Sequence, residues 1–381
     1  MTDNKLIICE LSNYAPPFYG NFMASLLDLE KKLHEKNPDN KVIYTYYENS
    51  MECNWIKEMQ DNNKIIVFLK NKYLKGFLQL KRIIKNYNIN IIHSHFTIPV
   101  FLFFLLKLSF PKLIIISHFH NLFSGIYDSK TFKRKLKTKT KLFLYNKKII
   151  NIFCGCGEAV YNDLVNCGIK NMKCRYIDNC IDFSRLDKMK AVGKHDIIND
   201  KKVIMIYGSF FYTKGVDIAI NAIKDIADKH KIILMIVCQN KENILKEIDN
   251  ILCYIPDWII IKPSQENIAE YFKMSSIYLI PSREEGFPYT MLESIYCDTL
   301  TIRSDIPSTD RELPNDFVVP VNNSNALRQC IESVLSLSEN EKKEIISKQK
   351  NYIMQKWNID IWSNNIINMY QNLLDNGNLN N

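Results

Sequence analysis

Glycine is scarce in this chain, 11 residues among 381. Dinucleotide dehydrogenases and phosphate-loop nucleotidases need glycines at G-x-G-x-x-G or G-x-x-x-x-G-K-[ST], so that the backbone can close on a pyrophosphate. Neither pattern occurs. Gly155-Cys156-Gly157 comes nearest and meets Val160 where the third glycine belongs. G-x-S-x-G and H-E-x-x-H are missing too, which removes the usual serine hydrolase and zinc peptidase signatures. The 11 cysteines are scattered singly apart from Cys154 and Cys156, without a C-x-x-C pair or zinc-ligand spacing. They are expected to be small buried thiols in a reducing cytosol. No apolar run approaches the ~20 residues of a membrane span. The most apolar stretch, Ile98 to Phe110, carries Pro99 and Lys107, and Lys5 to Cys9 is too short for a signal-peptide core. A cytoplasmic chain is therefore expected.

What is present is the composition of a folded protein, 46% hydrophobic and 24% charged. The length exceeds what one hydrophobic core usually serves, so two domains are expected. Short β-branched runs alternate with amphipathic stretches. Strands are predicted at Lys5 to Cys9, Val42 to Tyr46, Lys64 to Phe68, Ile89 to His93, Leu113 to Ser117 and Ile149 to Phe153. Between them lie helical patterns such as Phe22, Leu26, Leu29 and Leu33 on one stripe. After a polar stretch from Asp187 to Asp200 the alternation restarts, with strands at Val203 to Tyr207, Ile232 to Val237, Trp258 to Ile261, Ile277 to Ile280 and Thr299 to Ile302. Continuous apolar strands joined by helices imply parallel sheets covered on both faces. The fold class is α/β, with two doubly wound domains. Residues 1–186 and 200–358 would form the domains, followed by a last helical segment at 359–381.

Charge is unevenly spread. Residues 1–185 hold 28 Lys/Arg against 15 Asp/Glu, leaving −4 of the total +9 to the rest. The sharpest basic piece runs from Lys130 to Lys148, with eight lysines, one arginine and no acid, interleaved with Phe132, Leu136, Phe143 and Leu144. That pattern suits a basic amphipathic helix on an anionic membrane surface and equally a solvated helix face.

One segment concentrates chemistry. Pro281-Ser282-Arg283-Glu284-Glu285-Gly286-Phe287-Pro288-Tyr289-Thr290-Met291-Leu292-Glu293-Ser294 follows a buried strand and opens a helical pattern. Gly286 lets a loop backbone approach a ligand, and a helix N-terminus offers N–H groups to a phosphate. Glu285 and Glu293 could face that ligand. Thr290-x-x-Glu293 also reads as a capping box, in which Glu293 only secures the helix start.

The run EEGFPYTMLES resembles the E-x7-E signature of retaining glycosyltransferase family 4. Three further pieces fall in that family's order: Pro16-Pro17 to Gly20, Asn179-Cys180-Ile181-Asp182, and Gly208-Ser209-Phe210-Phe211-Tyr212-Thr213-Lys214-Gly215-Val216-Asp217. The resemblance is closest in kind to bacterial capsular and exopolysaccharide enzymes. It implies a GT-B fold, two Rossmann-like domains facing across a cleft, with an N-terminal acceptor domain and a C-terminal donor domain. It implies transfer of a hexose-type sugar from a nucleotide diphosphate donor, a UDP-sugar by expectation, to a glycan or polyprenyl-diphosphate-linked acceptor. By the same resemblance, no cofactor or metal is expected to be required. Carried over, Glu285 would hold donor-sugar hydroxyls, Glu293 the ribose, and Lys214 the leaving diphosphate. Amides near Gly286, Phe287 and Pro288 would hold sugar or phosphate, with Gly208 and Ser209 beside them, and Gly20 would let an N-domain loop approach. Ser209, Cys180 and Pro288 depart from the family's frequent residues, which bears on the phosphate contacts.

His93/His95 and His118/His120 each end a predicted strand, and alternation places the members of a pair on one face. A four-histidine zinc site is formally possible, but no acid or cysteine stands beside them in sequence; satisfied structural histidines are the other reading. The resemblance implies that His120, or His118, approaches the donor sugar. Two rivals explain less. A basic nucleic-acid-binding protein accounts for the charge but leaves Glu285 and Glu293 without a role, and no nucleic-acid partner is expected. A non-catalytic partner with the same fold has no need of both acids. The basic segment yields a test: full-length protein should co-sediment with anionic vesicles at low salt, each Lys or Arg near the surface contributing about 1 kcal/mol. Changing Lys133, Lys135 and Lys137 to Glu should release it, and unchanged co-sedimentation would reject membrane binding by this segment.

Overall fold

A strand covered on both faces has no use for polar side chains along its length, and the β-branched runs of this chain fold accordingly. The computed structural model describes residues 5–70, 73–96, 99–124, 146, 149–189, 200–308 and 312–379. The basic residues of the Lys130 to Lys148 segment lie outside them. The chain divides into two compact units, Met1–Cys180 with Ile359–Asn381, and Ile181–Asn358. Among the described residues no helix is long and apolar enough to cross a membrane.

The first unit holds strands β1 (Ile7–Ser12), β2 (Lys41–Tyr47), β3 (Ile66–Leu69), β4 (Ile91–His95), β5 (Ile114–Phe119), β6 (Ile152–Gly155) and β7 (Cys174–Tyr176). They form one sheet in the order β3-β2-β1-β4-β5-β6-β7, every neighbouring pair parallel. In the helix Gly20–Lys36 the predicted stripe Phe22, Leu26, Leu29 and Leu33 is buried. It joins Ile8, Ile91 and Ile114 of the sheet in one core cluster. The terminal helix Ile359–Leu379 completes that cluster with Trp362, Ile366, Ile367 and Tyr370.

The second unit holds β8 (Lys202–Tyr207), β9 (Ile232–Cys238), β10 (Ile259–Pro263), β11 (Ile277–Ile280), β12 (Leu300–Ser304) and β13 (Phe317–Val319). Their order is β10-β9-β8-β11-β12-β13, again all parallel. Alternation sorts the strands into two cores. Ile204, Ile206, Leu234, Ile236 and Leu279 pack on one face, while Val203, Met205, Met235, Val237 and Ile280 pack on the other.

The predicted strands are present, but several extend further toward their carboxyl ends. β1 continues to Ser12, β4 to His95 and β5 to Phe119, so polar residues expected in loops are inside the ladder. β7 and β13 have no counterpart among the predicted strands. Each is three residues long at a sheet edge and partly exposed, too short to show a pattern.

In both sheets the strand order reverses beside the first strand, between β1 and β4 and between β8 and β11. Loops leaving the carboxyl ends there run to opposite sides and open a crevice. The terminal helix is held by packing, so Ile366→Ala, at a fully buried position, should destabilise the protein by about 2–5 kcal/mol. A urea midpoint equal to wild type would show that this helix contributes nothing to the first unit's core.

Candidate functional site

In the second unit the loop after β8, residues 208–215, meets the loop after β11, residues 281–288. Several contacts tie the second loop to the first and to the helix Val216–Ile223 that follows it. The Arg283 guanidinium forks onto Asp217, Nη1 to Oδ1 at 2.8 Å and Nη2 to Oδ2 at 2.7 Å, and also donates to the Tyr212 carbonyl. The Arg283 N–H donates to the Thr213 carbonyl at 2.9 Å. Gly215 has φ +70°, and a Cβ there would overlap the Pro281 carbonyl. The backbones touch where only glycine fits.

This clasp positions Lys214 and Glu285. The Lys214 Nζ lies 2.7 and 2.8 Å from the two oxygens of Glu285, and Ser282 Oγ donates to Oε1 of the same carboxylate at 2.7 Å. The lysine side chain is 28% exposed and the carboxylate 9%. The pair is therefore half-open, a cation and an acceptor at the rim of the crevice, each able to exchange its partner for a ligand. Gly286 and Pro288 are buried in the turn, and Phe287 packs edge-on against Trp357 at 5.6 Å. Gly208 is spent on packing: its N–H donates to the Val237 carbonyl, and a Cβ would meet Ile236 at 2.6 Å. Ser209 and Phe210 beside it are exposed.

Glu293 departs from the capping-box reading. The helix is Tyr289–Tyr296 with Pro288 at its cap position and no side-chain cap, so Glu293 is its fifth residue. The Thr290 hydroxyl accepts from Tyr278 at 2.8 Å. Glu293 instead accepts from Arg185 Nη2 at 2.6 Å. Burial pushes its carboxyl up and the Arg185 guanidinium pulls it back, leaving it above the usual range. Arg185, Arg283 and Ser282 are site residues that the sequence does not single out. Nothing in the spacing links position 185 to 293, since tertiary folding alone joins them.

In the first unit the β1/β4 crevice holds an unexpected acid. Register sets Glu10 opposite His93, and His95 opposite His118, so alternation puts Glu10, His93, His95 and His118 on one face. Glu10 Oε2 lies 2.9 Å from His95 Nε2, and Glu10 Oε1 accepts from the Tyr370 hydroxyl at 2.9 Å. The expectation that no acid attends the histidines is thus overturned. Its signal is present in sequence, as a lone charged residue inside the apolar run Leu6 to Leu11. Burial pushes the Glu10 carboxyl up, but the His93 and His95 rings more than offset that and hold it at about 2. Burial lowers His95 to about 4 and takes His118 and His120 well below the usual value. The carboxylate is charged, and these three rings are neutral. His93, His95 and His118 offer nitrogens within 4.8 Å of one another, a spacing a metal ion could use. Hydrogen bonds among the rings also account for it. His120 stacks on Phe96 at 4.3 Å. Gly20, φ +63°, starts its helix against the Tyr14 hydroxyl.

Residues 16–185 match the family model of Glycosyltransferase Family 4, and residues 187–352 that of Glycosyl transferases group 1. The two models adjoin and span most of the chain. The chain belongs to the GT-B, family 4-like glycosyltransferases. It is an enzyme of the transferase class. It is 25% identical, over 85% of this chain and 86% of the relative, to an uncharacterized glycosyltransferase of Methanocaldococcus jannaschii. It is 23% identical, over 82% and 84%, to the N-acetylgalactosamine-N,N'-diacetylbacillosaminyl-diphospho-undecaprenol 4-alpha-N-acetylgalactosaminyltransferase of Campylobacter jejuni. HepE of Anabaena, in complex with UDP-glucose, shares the fold with a TM-score of 0.75 at 12% identity, over 96% of this chain and 100% of that one.

The Glu293–Arg185 pair in this glycosyltransferase makes a testable demand. Removing one member of a buried pair strands the other charge, at a cost of about 3–5 kcal/mol. Arg185→Met should therefore destabilise the protein at pH 7 by that amount. A folded-state carboxyl pKa raised above its unfolded value favours folding below the unfolded pKa and loses that advantage as pH rises through the folded pKa. The deficit of Arg185→Met should accordingly shrink on acidification, and Glu293→Gln added to Arg185→Met should recover part of it at pH 7. A constant deficit between pH 5 and 8 would show that the two charges are not coupled.

Proposed function

We propose that this glycosyltransferase is a retaining enzyme that moves a hexose-type sugar from a UDP-sugar to a glycan or lipid-linked acceptor, in surface polysaccharide synthesis. The observation that carries the reading is the half-open Lys214–Glu285 pair at the β8/β11 crevice, the place where doubly wound sheets bind ligands. Lys214 takes the diphosphate as it leaves, and Glu285 accepts from hydroxyls of the donor sugar. Glu293, held by Arg185, accepts from the ribose. Amides of Gly286 and Phe287, with Pro288 shaping the turn, border the sugar and phosphate, and Ser209 lies beside them. His120 or His118 approaches a hydroxyl of the sugar, and the Gly20 loop adjoins the β1/β4 crevice. The relatives support the substrate classes: one carries a name that specifies an undecaprenol-linked acceptor, and another was crystallised with UDP-glucose. The basic 130–148 segment supports a lipid-linked acceptor at an anionic membrane surface on the cytoplasmic side.

In the proposed reaction the acceptor hydroxyl attacks the anomeric carbon from the face the diphosphate leaves. The new bond joins the acceptor oxygen to that carbon, the bond to the phosphate oxygen breaks, and the acceptor's proton passes to that departing oxygen. The protein acts by positioning and by charge. Lys214 supplies positive charge at the diphosphate, so no divalent ion is required, consistent with the lack of a D-x-D cluster beside the donor motif.

A charge-assisted contact to the diphosphate is worth about 1.5–3 kcal/mol, so Lys214→Ala should lower kcat/KM by roughly 10- to 150-fold. Glu285→Gln should be at least as damaging, and activity with a UDP-sugar should persist in EDTA. Near-normal transfer by both variants would remove the pair from the site, and loss in EDTA restored by a divalent ion would contradict the metal-free mechanism.

A further inference from the structure

The hydrogens in the cluster around Glu10 can be placed by counting donors. An ionised carboxylate only accepts, so the Tyr370 hydroxyl, 2.9 Å from Oε1, donates to it. That hydroxyl has one proton. Its oxygen must then accept from His93 Nδ1, 2.6 Å away. With its proton on Nδ1, the His93 ring offers its Nε2 lone pair to His118 Nδ1, 3.2 Å away. The other arm starts at Oε2, which accepts from His95 Nε2 at 2.9 Å. His95 Nδ1 is then bare and accepts from His120 Nε2 at 3.1 Å. Each arm ends on a lone pair, at His118 Nε2 and His120 Nδ1. These are the two histidine nitrogens that, among the described residues, are buried without a hydrogen-bond partner.

An orphaned buried acceptor costs free energy unless something donates to it. Both sit at the carboxyl end of β5, beside the crevice. We propose that Glu10 and Tyr370 are positioning residues that set the tautomers of His118 and His120, so that each presents a lone pair, and not an N–H, to a hydroxyl of the sugar-bearing substrate. The assignment rests on the proposed sugar-transfer reaction. A hydroxyl that donates to such a nitrogen keeps its oxygen lone pairs, whereas an N–H would occupy one of them. One carboxylate thus orients two arms through four rings, with Tyr370 of the terminal helix relaying the first arm alone.

Two-bond ¹H–¹⁵N spectra of the seven histidines in ¹⁵N-labelled full-length protein at pH 8 test this directly. His93 and His118 should be Nδ1–H, the minor form of the free side chain, and His95 and His120 Nε2–H. Tyr370→Phe should lose the Nδ1–H form at His93 and His118 while His95 and His120 keep theirs. Glu10→Gln has one acceptor oxygen and an NH₂ for two arms, so at least one arm should reverse, with kcat falling about fivefold or more. Nε2–H forms at all four rings of the wild type, or tautomers unchanged in Glu10→Gln, would overturn the assignment. So would a metal ion retained by the purified protein after dialysis against a chelator. Reversed tautomers with wild-type kcat would overturn the role toward substrate. A failure of sugar transfer itself would show in the wild-type assay and in the Lys214 and Glu285 variants, and the spectra would then decide the hydrogen-bond relay on their own.

Discussion

The parallel register of two sheets covered on both faces is the constraint on which the chemistry of this protein depends. A strand in such a sheet has its backbone paired on either side and its side chains in apolar layers, so polar groups are tolerated only near the strand ends. Parallel direction then gathers all carboxyl ends on one edge. The reversal of strand order beside β1 and beside β8 makes a crevice of that edge. Lys214 and Glu285 belong to loops that leave β8 and β11, while Glu10, His93 and His95 belong to β1 and β4 themselves.

The two crevices handle charge differently. In the second unit the Lys214–Glu285 pair stays partly in contact with water, so its desolvation cost is modest and either partner can turn to a ligand. In the first unit Glu10 is fully buried, and an unpaired charge there would cost several kcal/mol. It is accommodated because Tyr370 and His95 donate to its two oxygens. That requirement couples the terminal helix to the sheet through more than apolar contact. Trp362, Ile366 and Ile367 bring the helix onto the core, and their packing determines where the Tyr370 hydroxyl arrives.

Much of this is legible in the chain. Continuous β-branched runs mark the parallel strands, and the stripe Phe22, Leu26, Leu29 and Leu33 marks the first helix, because periodicity reports burial directly. Gly215 and Lys214 stand out through their motif, and the structure adds the reason for the glycine, a backbone approach to Pro281. Strand ends are legible less well. His95 and Phe119 are polar or flanked by polar residues, and local sequence does not reveal that a neighbouring strand supplies Glu10 or another histidine as partner. The capping-box reading of Thr290 and Glu293 fails for a related reason: local spacing satisfies the pattern, but Tyr278 and Arg185 claim the two side chains.

By itself the sequence determined the order of the strands other than β7 and β13, the doubly wound class and the segment that carries Glu285 and Glu293. These follow from interactions between residues near one another in the chain, where the periods of helix and strand are written. Only the tertiary structure decided what each charged or polar group binds. Arg185 and Glu293 are 108 positions apart, and Glu10 and Tyr370 are 360. A hydrogen bond depends on distances of about 3 Å, and no local pattern encodes a contact that exists only once register, crossover and helix packing have brought distant segments together.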